Sequence, residues 1–190
     1  MRRHLPNVLT LGRMILVPPL VILLLFEGRF PSAVAAGIFL VASLTDFFDG
    51  FTARRFKVES SFGRFLDPIA DKVLVTSSLI MLIALGRVQA WVVMLIITRE
   101  VAVSALRALT KSWNTTLGPS RIGKLKTVMQ FAAIVPLIIH YDYTFIITIN
   151  FHVIGTVLLY IALVLTLWSG IDYFVKFYRE YEITEQDEGL

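Results

Sequence analysis

The stretch "TDFFDGFTARR", residues 45–55, ends a long apolar run and sets Asp46 and Asp49 one helical turn apart. Residues 63–72, "GRFLDPIADK", repeat the arrangement with Asp67 and Asp71. Side chains three or four positions apart share one face of a helix. Asp46, Asp49 and Ala53 therefore form one stripe with Gly50 beside it, and Asp67 and Asp71 form a second at the start of the next helix. Pro68 is tolerated there, because first-turn amides need no helical partner. The short "FKVESSFG" link (56–63) makes the two helices antiparallel neighbours. Four carboxylates are thereby expected to converge.

Such a cluster beside a low-dielectric slab must be neutralised by protons or cations. Hard divalent ions suit all-oxygen ligands, and Mg²⁺ binds through carboxylates together with substrate phosphates. Two such ions about 3.5–4 Å apart clamp the attacking and leaving oxygens of a phosphoryl displacement. Gly50, Ala53 and Gly63 leave room against the helix backbone for a bulky ligand, and Arg54 offers a planar cation to phosphate. The plainer reading is a membrane-edge charge cluster, with the aspartates paired to Arg54, Arg55, Arg64 and Lys72. One aspartate at a helix end fits that reading well; four at this spacing fit it poorly.

The surrounding sequence explains the slab. The 190 residues are 56% hydrophobic, with a mean hydropathy of +0.74. That leaves too little polar surface to cover a water-soluble globule. Six segments approach the roughly 20 residues that cross a bilayer: Val8–Phe26, Ser32–Phe51, Ile69–Leu85, Ala90–Leu109, Ile122–Tyr141 and Phe151–Tyr173. The expected fold class is all-α, an integral membrane protein with six transmembrane helices. Pro18 and Pro19 should bend the first span. "EGRFP" (27–31) and "GRVQ" (86–89) read as tight turns. The basic N-terminus resembles a signal peptide, but no small-x-small cleavage site follows, so it reads as a retained first helix. Residues 1–178 form the six-helix domain, and 179–190 an acidic, frayed cytosolic tail.

The net charge of +4 does not require nucleic acid. Of the 18 Lys and Arg, all but Arg29, Arg87 and Arg99 lie on one side if the N-terminus is cytosolic. That asymmetry places both termini, and the aspartates, at the inner face. Cysteine is absent, which excludes disulfides and thiolate metal sites. The three histidines do not form a metal set: His4 lies near the inner face, His140 and His152 near the outer. "GPSRIGK" (118–124) imitates a phosphate loop, but Leu125 follows it and no strand precedes it.

Written as Asp46-x2-Asp49-Gly50-x2-Ala53-Arg54-x8-Gly63-x3-Asp67-x3-Asp71, the two stretches resemble the signature of the CDP-alcohol phosphatidyltransferase family at every fixed position. The segments "LPNVLTLGRMILVP", "FGRFLDPIADKVLV", "TREVAVSALR", "GKLKTVMQ" and "LTLWSGIDY" are similar to bacterial members that use glycerol 3-phosphate. The resemblance implies a six-helix membrane fold, commonly a homodimer, in a bacterial inner (plasma) membrane. It implies two divalent cations, Mg²⁺ or Mn²⁺, on Asp46, Asp49, Asp67 and Asp71, with Asp71 also taking the proton of the attacking hydroxyl. The donor would be CDP-diacylglycerol, with Gly50, Ala53, Arg54 and Gly63 lining its nucleotide site.

The acceptor site is sought in "ITREVAVSALRALTK" (97–111) and the connection after it. Glu100, Ser104 and Arg107 form one stripe. Arg107, Arg121 and Lys124 suit a dianionic phosphate such as glycerol 3-phosphate. Lys111 and Lys126 read as positive-inside anchors. Arg99 and Glu100 are either functional or neutralise each other or a neighbouring helix. Asn7, Thr10 and Arg13, at the cytosolic end of the first helix, are placed to meet the donor headgroup, although Asn7 serves equally as a cap. The competing readings are the same chemistry with inositol phosphate, serine or phosphatidylglycerol, and a divalent-cation transporter. The transporter predicts acids at mid-membrane rather than at one face.

Overall fold

The computed structural model describes the backbone of residues 5–56, 61–112, 121–144 and 148–187, and the side chains of 12–45, 72–110, 122–143 and 149–182. Long apolar runs with few breakers give helices α1 (Leu5–Leu24), α2 (Arg29–Phe56), α3 (Ser61–Ala84), α4 (Ala90–Ser112), α5 (Arg121–Ile139) and α6 (Phe151–Asp187). The fold is all-α, as expected, with one addition. The link between α5 and α6 holds a two-stranded antiparallel ribbon, β1 (Asp142–Thr144) and β2 (Thr148–Asn150), with Tyr143 opposite Ile149. Tyr143, Thr144, Thr148 and Ile149 at its centre are β-branched or aromatic, and Tyr143 stacks edge-on to Phe151 at 5.6 Å. Strands this short escape a periodicity reading.

The two tight turns fall where the glycines predict. At the end of α3, Gly86 has φ +67°. Its N–H donates to the Ile83 carbonyl, and that of Arg87 to the Leu82 carbonyl, both at 2.9 Å. This pairing closes a helix whose last carbonyls would otherwise be orphaned. Pro18 and Pro19 lie within α1 without ending it. The acidic tail differs from expectation. α6 runs on past Arg179, where the tail was expected to begin, and is helical to Asp187. At 37 residues it is about 55 Å long, well beyond the roughly 30 Å hydrocarbon layer.

Phe39, Leu20, Leu74, Leu79, Leu82 and Ile96 are completely buried, drawn from α1 through α4. α5 and α6 run closest to each other. A Cβ on Gly155 would lie 2.6 Å from Leu137 Cγ and 2.9 Å from its backbone nitrogen, so the α6 backbone lies directly against α5. Small residues permit this approach, which gains dispersion contacts where lipid removes the hydrophobic incentive. The opposite face of α6 is apolar and bare, with Trp168 65% and Ile171 67% exposed. Among the described residues, Ile122–Ile139 and Phe151–Glu182 are long and apolar enough to cross a membrane. Shorter apolar stretches occupy Gly12–Leu24, Arg29–Thr45 and Lys72–Ala84.

A polar clamp closes one end of the bundle. The buried Arg87 guanidinium donates to the carbonyls of Leu137 (3.3 Å) and Ile138 (2.6 Å) and reaches Ser32 Oγ at 3.5 Å. It thus caps the C-terminus of α5, where the helix dipole favours a cation. The Gly28 N–H donates to the Tyr141 hydroxyl at 2.9 Å. His140 and His152, both expected near the outer face, meet through their Nδ1 atoms at 3.2 Å.

Candidate functional site

The backbone carries Asp46 and Asp49 in the second half of α2, and Asp67 and Asp71 in the first half of α3. Each pair falls one turn apart on continuous helix, as the spacing requires. The side chains of Asn7, Thr10, Asp46, Asp49, Gly50, Ala53, Arg54, Gly63, Asp67, Asp71 and Arg121 lie outside the described residues, as do those of His4 and Lys111. Among the described residues no group of three or more acidic or histidine side chains could hold a metal ion.

The Lys72 ammonium donates to Ser104 Oγ on α4, and Ser104 donates to the Glu100 carbonyl one turn back at 2.6 Å. Lys72 also borders a cavity between α3, α4 and α5. Its polar lining is Lys72, Thr76, Glu100, Lys126, Thr127 and Gln130. Glu100 stands at its centre of charge: Lys126 reaches in from α5 to pair with it, and Arg99 Nη1 lies 3.4 Å from the same carboxylate oxygen. Arg99 Nη2 in turn donates to Ser169 Oγ on α6 at 2.9 Å. One carboxylate therefore joins three helices through two cations.

This arrangement corrects one expectation and settles another. Lys126 is not a headgroup-facing anchor: it is only 5% exposed, drawn inward by Glu100. Arg99 and Glu100 pair with each other, and each also reaches a neighbouring helix, Arg99 to Ser169 on α6 and Glu100 to Lys126 on α5. Arg13 is buried on α1, at 3% exposure. Arg107 is exposed on α4, its guanidinium 5.6 Å above the Tyr173 ring of α6. Lys124 is exposed near the start of α5. The involvement of Lys72 and Tyr173 escaped the sequence reading. Only the one-turn offset of Tyr173 from the small pair Ser169 and Gly170 hinted that this face of α6 admits α4 side chains.

The profile of the CDP-alcohol phosphatidyltransferase family matches residues 3–168. The chain belongs to that family. This CDP-alcohol phosphatidyltransferase is 37% identical over 172 residues to the CDP-diacylglycerol–glycerol-3-phosphate 3-phosphatidyltransferase of Rickettsia typhi, covering 90% of this chain and 96% of the relative. It is 37% identical over 185 residues to the protein of the same name in Bacillus subtilis, covering 91% and 94%. It is also 35% identical over 189 residues to a CMP-forming cardiolipin synthase of Oryza sativa subsp. japonica, covering 92% of this chain and 57% of that one. Family membership makes the protein a phosphatidyl-transferring enzyme, and its apolar surface and long helices fit a membrane protein.

Within the phosphatidyltransferase, the described cavity begins one residue beyond the last signature aspartate. Its polar lining comes from α3, α4 and α5, and Leu79, Ile96 and Phe131 are among its apolar lining. The cavity is small, about 40 Å³, with polar and apolar side chains in its lining.

Proposed function

We propose that the enzyme transfers the phosphatidyl group of CDP-diacylglycerol to glycerol 3-phosphate, giving phosphatidylglycerophosphate and CMP. The observation that carries this reading is the complete acidic signature on α2 and α3, joined to relatives named for that reaction over almost their whole length. An acceptor hydroxyl forms a bond to the β-phosphorus, and the bond from that phosphorus to the CMP oxygen breaks. CMP leaves with the bonding pair, and Asp71 takes the hydroxyl proton. All-carboxylate donors at one-turn spacing fit hard divalent ions such as Mg²⁺ or Mn²⁺ on Asp46, Asp49, Asp67 and Asp71. When bound, such ions neutralise the donor's diphosphate and lower the acidity barrier of the hydroxyl.

Gly50, Ala53, Arg54 and Gly63, with Asn7, Thr10 and Arg13, are assigned to the donor. Arg107, Arg121 and Lys124 are assigned to the acceptor phosphate. We place the protein as a six-span homodimer in a bacterial plasma membrane, its termini and site cytosolic. Lipid tails then stay in the bilayer while the headgroup meets the helix ends. The rice relative makes phosphatidylglycerol the acceptor to exclude.

The test is an acceptor panel on purified enzyme in detergent with radiolabelled CDP-diacylglycerol and Mg²⁺. Glycerol 3-phosphate should give lipid product and CMP, and chelation should abolish both. Product with serine, inositol phosphate or phosphatidylglycerol, and none with glycerol 3-phosphate, would refute the acceptor. Metal flux into proteoliposomes without CMP release would favour a transporter.

A further inference from the structure

Lys126 lies in the second turn of α5, near the end of the helix assigned to the cytosolic face. A lysine there has a four-carbon stem long enough to carry its ammonium out to the interface, and such side chains ordinarily do so. Lys126 instead turns inward, at 5% exposure, onto Glu100. Withdrawing the Lys126 ammonium from water is expensive, even though Glu100, its side chain 26% exposed, stays partly solvated. Ionisable groups kept inside a membrane bundle at that cost mark functional sites.

Glu100 itself is fixed from behind. Arg99 lies 3.4 Å from its carboxylate and 2.9 Å from Ser169 Oγ. The next residue on α6, Gly170, leaves the space that the arginine needs: a Cβ there would lie 3.0 Å from Arg99 Cγ and 3.3 Å from Nε. The α6 notch thus seats Arg99, Arg99 steadies Glu100, and Glu100 holds Lys126 at the wall of the cavity that Lys72 also borders.

We propose that Glu100 is a positioning residue for the acceptor, acting through Lys126, and that Arg99 in its Ser169–Gly170 notch is the brace behind it. An ammonium has three donors, so Lys126 can keep its carboxylate partner while meeting a phosphate oxygen. Glu100 touches neither substrate. It keeps a mobile cation inside the chamber and limits its approach to one direction. The inference rests on the reading of the acceptor as a phosphate-bearing alcohol.

The experiment is steady-state kinetics on Glu100→Gln, Glu100→Asp, Lys126→Gln and the double variant Glu100→Gln/Lys126→Gln. KM for glycerol 3-phosphate and for CDP-diacylglycerol are measured separately. Glu100→Gln should raise the acceptor KM on the order of tenfold and leave the donor KM within about twofold. Glu100→Asp should recover part of the loss, as a purely volumetric role would not allow. In the Lys126→Gln background, Glu100→Gln should add nothing, because residues acting as a unit are not additive. Equal movement of both KM values, or full additivity, overturns the proposal.

Should Glu100→Gln fail to fold, Gly170→Ala probes the same brace from the other side, displacing Arg99 by a few tenths of an ångström. It should raise the acceptor KM at an unchanged unfolding midpoint; an unchanged acceptor KM overturns the brace. If the panel selects another acceptor, the acceptor reading fails. The additivity test, run with that acceptor, still decides whether Glu100 works through Lys126.

Discussion

Lys126 and Lys72 show how far a single residue's role depends on its neighbours. Both are lysines in the N-terminal halves of apolar helices, and by sequence each suits an anchor or a simple partner for an aspartate. One carboxylate and one hydroxyl on α4 turn them inward. The aspartates differ, because their number and spacing already imply a shared ligand. Their roles are separable by experiment. Asp71→Asn should retain metal-dependent donor binding better than Asp46→Asn, yet lose turnover by about 10²–10⁴-fold, the usual value of a positioned base. Equal loss of donor affinity in both variants would remove the separate role of Asp71. His140 supplies a second residue-scale test. Burial first, then the charges of Arg87 and His152, hold its pKa below the ordinary 6.5, with Asp142 pulling the other way. The folded state therefore prefers neutral His140. Its contribution is complete above the unfolded pKa and is lost as pH falls through about 6.5 towards the lower folded value. Between about pH 7.5 and about pH 5.5, the unfolding midpoint of the wild type should drop more than that of His140→Asn. Asparagine tolerates the φ of +60° found there and does not titrate. Parallel pH curves would remove His140 from the clamp.

Element boundaries followed local rules. The Gly86 cap and the Pro31-bearing start of α2 fall where backbone chemistry puts them. The ribbon between α5 and α6 and the long continuation of α6 were not legible. Three-residue strands have no period to detect, and an acidic tail becomes helical without changing its composition. The contact between α5 and α6 decides how these helices sit. Gly155→Ala should destabilise the enzyme by about 1–3 kcal/mol, because the added carbon would lie 2.6 Å from Leu137 Cγ and 2.9 Å from its backbone nitrogen, which cannot swing aside. Thermal unfolding in detergent checks this; a midpoint equal to the wild type would mean that the two helices separate freely.

For the whole molecule, the positive-inside asymmetry assigns the 25–28 turn to the outside and the C-terminal part of α6 to the cytosol. The chain has no cysteine, so single replacements report cleanly. An impermeant maleimide should label Glu27→Cys in intact cells and Glu182→Cys only after lysis; the reverse would invert the orientation. By itself the sequence determined the helical class, the family and the acidic signature. Each of these rests on short-range spacing, on composition or on a motif local to two adjoining helices. Only the tertiary structure decided that Arg99, Glu100 and Lys126 form one chain from α6 to α5, and that Lys72 and Lys126 line the same chamber. Apart from the neighbours Arg99 and Glu100, these residues lie far apart along the chain, and nothing local dictates which cation on another helix a partly buried carboxylate will meet. That choice is made when helices dock and each buried charge must find a partner at a cost lower than leaving it alone.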